Sequence, residues 1–172
     1  MRQWRRGASR QRVYAFAADP AQPKSQLYRE LVAAADALTA GEPDAVANMA
    51  NVAALLWQLL PELNWAGFYR AIGDGLVLGP FCGKPACVRI PFGQGVCGAA
   101  AASGKSQLVA DVSAFPGHIA CDAGSRSELV VPVHRDGAVI AVIDLDAPRA
   151  ARFDEEDRAG IEALATLLSQ RI

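Results

Sequence analysis

Histidine is scarce in this chain: His118 and His134 are the two in 172 residues. Cysteine is limited to Cys82, Cys87, Cys97 and Cys121, and no two are spaced as Cys-x-x-Cys. Structural zinc sites show closely paired ligands, so no metal is expected from this pattern. No apolar run approaches the ~20 residues that span a bilayer. The run Val13 to Ala18 is too short for the apolar stretch of a secretory leader. Membrane insertion and export are therefore not expected, and the cytoplasm is the expected compartment. There, cysteines serve more often as catalytic or inert thiols than as structural disulfides.

Net charge is also small, at −1. It is unevenly spread. Residues 1–12 carry five arginines and no acid, which leaves the remainder at −6. An acidic body repels phosphate backbones, so nucleic acid is not an expected partner. Weak amphipathicity argues against a transit peptide at the basic start. Residues 1–24 read as a basic, disordered extension and 25–172 as one domain. The 52% apolar and 20% charged content is that of an ordinary globular chain with enough apolar residues for a core.

Periodicity places the elements. Ser25 reads as the cap of a helix from about Gln26 to Ala40, with Leu27, Leu31, Ala34 and Leu38 on one face. A second helix follows from about Asp44 to Leu60. Strand-like runs cover Asn64 to Arg70, Leu76 to Phe81 and Ala86 to Pro91. Gly95 to Ser103 reads as a short helix and Gln107 to Val112 as a strand. Residues 113–127 form a polar loop. Glu128 to His134 and Val139 to Asp146 are strands joined by Asp136-Gly137, a hairpin signal. Asp154 caps a last helix whose first turn carries Glu155, Glu156 and Asp157. The expected fold is α+β: one domain, a central antiparallel sheet, and the N-terminal and C-terminal helices packed on one face.

Chemistry concentrates in three places. In Ala141 to Asp146, alternation sends Ile143 and Leu145 to the core and puts Asp144 and Asp146 together on the other face. Two like charges there suit either a wet strand face or a cleft for a cationic amine. In Asn64 to Tyr69, Trp65, Gly67 and Tyr69 share a face. The glycine leaves a slot between rings where a small ligand is expected to lie, although plain sheet packing also accounts for these aromatics. In the polar loop, Cys121 lies outside any apolar element, unlike an inert buried cysteine. His118 and Arg126 are candidate donors that would favour its thiolate, though His118 reads more readily as a loop histidine bonded to backbone. Glu128 opens the next strand and could supply a proton. Cys87 and Cys97 are alternative partners able to trap a sulfenic acid on Cys121 as a disulfide.

Residues 25–168 resemble the free methionine-(R)-sulfoxide reductases, which are GAF-domain proteins. The resemblance is carried by Asn64-Trp-Ala-Gly-Phe-Tyr69, Leu76-Val-Leu-Gly-Pro-Phe81, Ala86-Cys-Val-Arg-Ile-Pro91, Gly95-Val-Cys-Gly98, Gly117-His-Ile-Ala-Cys-Asp-Ala123, Ser127-Glu128 and Asp144-Leu-Asp146. It implies Cys121 as nucleophile, Cys87 as resolving partner and Cys97 as auxiliary thiol. It further implies a pocket of Trp65, Tyr69, Glu128, Asp144 and Asp146 for free methionine sulfoxide. No bound cofactor is implied, reducing equivalents coming from thioredoxin and ultimately NADPH, and homodimers are frequent. The competing expectation is a non-catalytic GAF domain that binds a small molecule or senses redox state.

Overall fold

The structure, a computed structural model, describes residues 22–117 and 123–172. Expectations for the arm at 1–21, and for His118 and Cys121, lie outside the described residues. Helix α1 spans Lys24–Thr39 and α2 spans Ala45–Leu59. Six strands follow: β1 Trp65–Ile72, β2 Gly75–Gly83, β3 Arg89–Pro91, β4 Gln107–Val109, β5 Ser127–Arg135 and β6 Ala138–Ala147. Helix α3, Gly95–Ser103, lies between β3 and β4, and α4, Glu155–Leu168, comes last. The strands form one sheet in the order β3-β2-β1-β6-β5-β4, antiparallel at every pairing.

The expected α+β architecture is present, and the sheet separates two cores. One face buries Ala66, Phe68, Leu129, Val131, Ile143 and Leu145 against α1, α2 and α4. The other buries Trp65, Tyr69, Val130 and Val142 with Val96, Cys97 and Ala100 of α3. Helices α1, α2 and α4 thus share a face, while among the described residues α3 is the helix that covers the other. Strand alternation explains this division, since each central strand has apolar side chains on both faces.

Local details follow from local chemistry. Asp136 and Gly137 take φ of 52° and 80°, the doubly positive turn that fits a two-residue hairpin. Ser25 is not the cap of α1. The helix starts two residues earlier than expected, at Lys24 after Pro23 at φ −61° and ψ 142°, with no side-chain cap. Proline's fixed φ leaves the chain extended there and the helix begins directly beyond it. Strand β4 is only three residues, because the chain turns into a single 3-10 turn at Val112–Ala114, where Asp111 accepts from the Ser113 N–H. Strand β3 is also short, so much of Ala86 to Pro91 is left as rim rather than ladder.

One buried polar knot joins the two ends of the chain. Asp157 is 1% exposed. It accepts from the Tyr28 hydroxyl at 2.7 Å, the Lys24 ammonium at 2.7 Å and the Arg152 guanidinium at 3.4 Å. Its own backbone N–H bonds the Asp154 side chain, and its carboxylate accepts from the Asp154 N–H, completing a capping box on α4. Burial and the adjacent Asp157 push the Tyr28 hydroxyl well above its usual range, so it stays a donor. Asp157→Ala would leave Arg152 and the Tyr28 hydroxyl buried without this partner. The expected loss is about 3–5 kcal/mol, or roughly 10 °C in Tm at this chain length. Thermal unfolding followed by circular dichroism checks it; a shift under about 2 °C would contradict the assignment.

Candidate active site

The site is built on the three central strands. Trp65 on β1 stands opposite Asp146 on β6, which stands opposite Glu128 on β5. One step along the same face, Gly67 lies opposite Asp144, and Asp144 opposite Val130. Glu128 and Asp144 are therefore diagonal neighbours on adjacent strands, close enough for side chains to meet. Both are nearly sealed from water, at 7% and 5% exposure. Helix α3 docks over this face and brings Cys97, whose sulfur donates toward Glu128 Oε1 at 3.9 Å.

Trp65, Tyr69, Cys97, Glu128, Asp144 and Asp146 line one pocket, with Lys84 to Ala86 at its rim. It holds about 540 Å³ of atom-free space, including the solvent at its mouth. An aromatic wall stands beside the acids. The Trp65 and Tyr69 rings stack with centroids 5.8 Å apart, and Phe81 stacks on Trp65 at 5.2 Å. Each polar tip is anchored to the rim: Trp65 Nε1 donates to the Lys84 carbonyl at 3.2 Å, and the Tyr69 hydroxyl to the Cys87 carbonyl at 3.1 Å.

The expected slot between the rings is not there. Stacked rings at 5.8 Å leave no room for a ligand between them. The role of Gly67 is instead to admit β2. A Cβ at this position would sit 2.4 Å from Phe81 Cβ, and the ladder shifts register between Gly67 and Tyr69. The rings thus form a wall for a ligand to lie against, reinforced from behind by Phe81. Sequence reading gave Phe81 no part in the site, and its place in a strand-like run gave no signal of one.

Burial dominates the electrostatics. Desolvation pushes the Glu128 carboxyl well above its usual range, and the charges of Asp144 and Asp146 push it further. Asp144 is raised by burial to about 6, with hydrogen bonds to Cys97 and Glu128 acting against the rise. The two effects agree on one proton, held by Glu128 and shared toward Asp144. The Cys97 thiol is raised well above its normal value, first by burial, then by Asp144 and Glu128. It is a neutral donor here, not a thiolate. Burial and Asp144 likewise raise the Tyr69 hydroxyl.

The remaining expected residues fall as follows. Cys87 is disulfide-bonded, whereas Cys82 and Cys97 carry free thiols. Arg126, a candidate donor to Cys121, is exposed and pairs with Asp111 at 3.7 Å. Ser125 lines the pocket beside Glu128 and accepts from Asn64 Nδ2 at 3.0 Å, a contact across 61 residues that no local pattern announces.

Comparison with known proteins places this geometry. Residues 46–172 match the GAF domain family. The chain is 53% identical over 151 residues to Protein YtsP of Bacillus subtilis, covering 87% of this chain and 93% of that protein. It is 48% identical over 147 residues to the free methionine-R-sulfoxide reductase of Escherichia coli, covering 86% and 89%. The X-ray structure of the free methionine-R-sulfoxide reductase from Neisseria meningitidis, in complex with its substrate, superposes with a TM-score of 0.86 at 46% identity, covering 91% of this chain and 94% of that one. With such identity across most of its length, and with an acid-lined, aromatic-walled pocket on its sheet, this chain belongs to the GAF-domain family of free methionine-(R)-sulfoxide reductases.

Proposed function

We propose that this protein reduces free L-methionine-(R)-sulfoxide to methionine, using Cys121 as nucleophile and Glu128 as proton donor. One observation carries the reading: a buried acid pair with a shared proton faces an aromatic wall in a single pocket. A sulfoxide is a poor electrophile until its oxygen is protonated or strongly hydrogen-bonded. Glu128 suits that task, because burial and its acidic neighbours push its carboxyl well above the usual range and so favour the protonated donor. Trp65 and Tyr69 offer faces for the methyl-sulfur end of the substrate. Asp144 and Asp146 are left to hold its ammonium, a charge that a methionine within a protein chain lacks.

The sequence of steps balances without a bound cofactor. The Cys121 sulfur attacks the substrate sulfur while Glu128 protonates the oxygen. The protonated oxygen then passes from the substrate sulfur to the Cys121 sulfur as the new sulfur–sulfur bond breaks, so that methionine leaves as a thioether and Cys121 carries the hydroxyl as a sulfenic acid. The Cys87 thiol then attacks that sulfur, a disulfide forms and water departs. A dithiol reductant such as thioredoxin, itself recharged from NADPH, reopens the bond. The rim position of Cys87 and its disulfide-bonded state support the resolving role. Cys97, expected to be an auxiliary thiol, fits better as a neutral donor that steadies Glu128, since burial suppresses its thiolate.

Cys121→Ser is expected to abolish turnover with the fold intact, and Cys87→Ser to keep the first reduction while slowing thioredoxin-driven cycling; a coupled assay with NADPH oxidation reads both, and normal cycling in either variant refutes its assignment. For wild type, kcat/KM is expected to fall as pH rises past the point where Glu128 loses its proton. Glu128→Gln should cost about 10²–10⁴ in rate and flatten that alkaline limb, and a pH–rate series decides it. The same pair weakens the fold. An acid whose folded pKa is raised costs stability that is absent below about pH 4 and complete above about pH 6. Asp144→Asn should therefore raise Tm by several degrees at pH 8, less at pH 4, and raise KM; parallel melting curves at the two pH values would contradict the burial argument.

A further inference from the structure

The sulfoxide chemistry uses Cys97, Glu128 and Asp144 as separate groups, but their geometry also joins them. The Cys97 sulfur and one carboxylate oxygen each of Glu128 and Asp144 lie within 4.8 Å of one another. All three residues are buried. They arrive from α3, β5 and β6, fixed by the ladder that sets Glu128 opposite Asp146 and Val130 opposite Asp144. The Cys97–Glu128 contact already accounts for one pair in this group. Cys97 and Glu128 also hydrogen-bond the Asp144 carboxylate, but its Oδ1 is buried, borders the pocket, and has no hydrogen-bond partner among the described residues. An orphaned buried carboxylate oxygen is costly and calls for a cation or a donor.

We propose that Cys97, Glu128 and Asp144 form a three-ligand site for Zn²⁺, with the fourth coordination position open to the pocket, so that the ion and methionine sulfoxide exclude each other. The exclusion clause rests on the reductase reading; the binding clause does not. One thiolate and two carboxylates suit a borderline-soft divalent ion in tetrahedral geometry. Bonds of about 2.3 Å to sulfur and 2.0–2.2 Å to oxygen require ligand atoms closer together than the present limit, which side-chain rotation of two carboxylates supplies. On binding, the Cys97 S–H bond and the Glu128 carboxyl O–H bond break, sulfur–zinc and oxygen–zinc bonds form, and both protons pass to solvent. No oxidation state changes. The missing Cys-x-x-Cys spacing does not count against this site, because its ligands are gathered from three elements instead of one local motif.

The test uses the full chain with Cys82, Cys87 and Cys121 replaced by alanine, leaving Cys97 as the sole thiol. Co²⁺ is titrated in as a spectroscopic stand-in for zinc. The expected result is a near-ultraviolet sulfur-to-cobalt charge-transfer band that saturates at one equivalent and is displaced by Zn²⁺. Adding Cys97→Ser should remove the band, and adding Asp144→Asn should weaken binding by at least about tenfold. Circular dichroism confirms that each variant is folded. No band, or a band that survives Cys97→Ser or ignores Asp144→Asn, overturns the site. On the wild-type enzyme, Zn²⁺ should inhibit competitively against methionine sulfoxide. Cobalt binding by the single-thiol protein together with no sulfoxide turnover by the metal-free wild-type enzyme would fail the reductase reading and leave the metal site standing.

Discussion

Two carboxyl groups sharing a dry pocket set the terms for the rest of this molecule. Glu128 and Asp144 sit on adjacent central strands, where β pairing holds them at a diagonal that neither can relax. Water would separate such charges at little cost. Here α3 and the aromatic wall exclude it, so the pair resolves its repulsion by keeping a proton. That proton is what a sulfoxide oxygen needs. The feature that makes the pocket unfavourable for folding is the one that suits it to chemistry.

The fold separates that cost from its remedy. Stability is concentrated on the opposite sheet face, where α1, α2 and α4 cover the larger core and Asp157 ties both chain ends together. The pocket face carries one short, alanine-rich helix and a rim only partly paired as strand. Anchors from Trp65 to the Lys84 carbonyl and from Tyr69 to the Cys87 carbonyl couple the rim to the wall. A ligand pressed against the rings would therefore touch the segment that bears Cys87. In the proposed reaction, the wall that would hold the thioether and the segment that would present a second thiol are joined by these two hydrogen bonds.

Much of this was legible because it is periodic. The alternation in Ala141 to Asp146 put Ile143 and Leu145 in the core and the two aspartates on the other face, as found. Asp136-Gly137 announced its hairpin, and the small residues from Gly95 to Ser103 their helix. What stayed hidden depends on contacts far apart in sequence. No local pattern links Tyr28 to Asp157, or Asn64 to Ser125. The glycine between Trp65 and Tyr69 suggested a ligand slot, yet the space belongs to Phe81, which only the pairing of β1 with β2 reveals. The thiol of Cys97 read as a redox candidate by type; its burial against two acids makes it a donor. His118 and Cys121 fall outside the described residues, so the loop carries its role from sequence.

The central claim is that the buried acids read the charge of a free amino acid as well as its sulfoxide. Turnover of free methionine-(R)-sulfoxide compared with its N-acetyl derivative, under one dithiol reductant, tests it most directly. Acetylation removes the ammonium and leaves a carboxylate unpaired in the pocket, which should lower kcat/KM by about 30-fold or more. Equal kcat/KM for the two substrates would contradict the account.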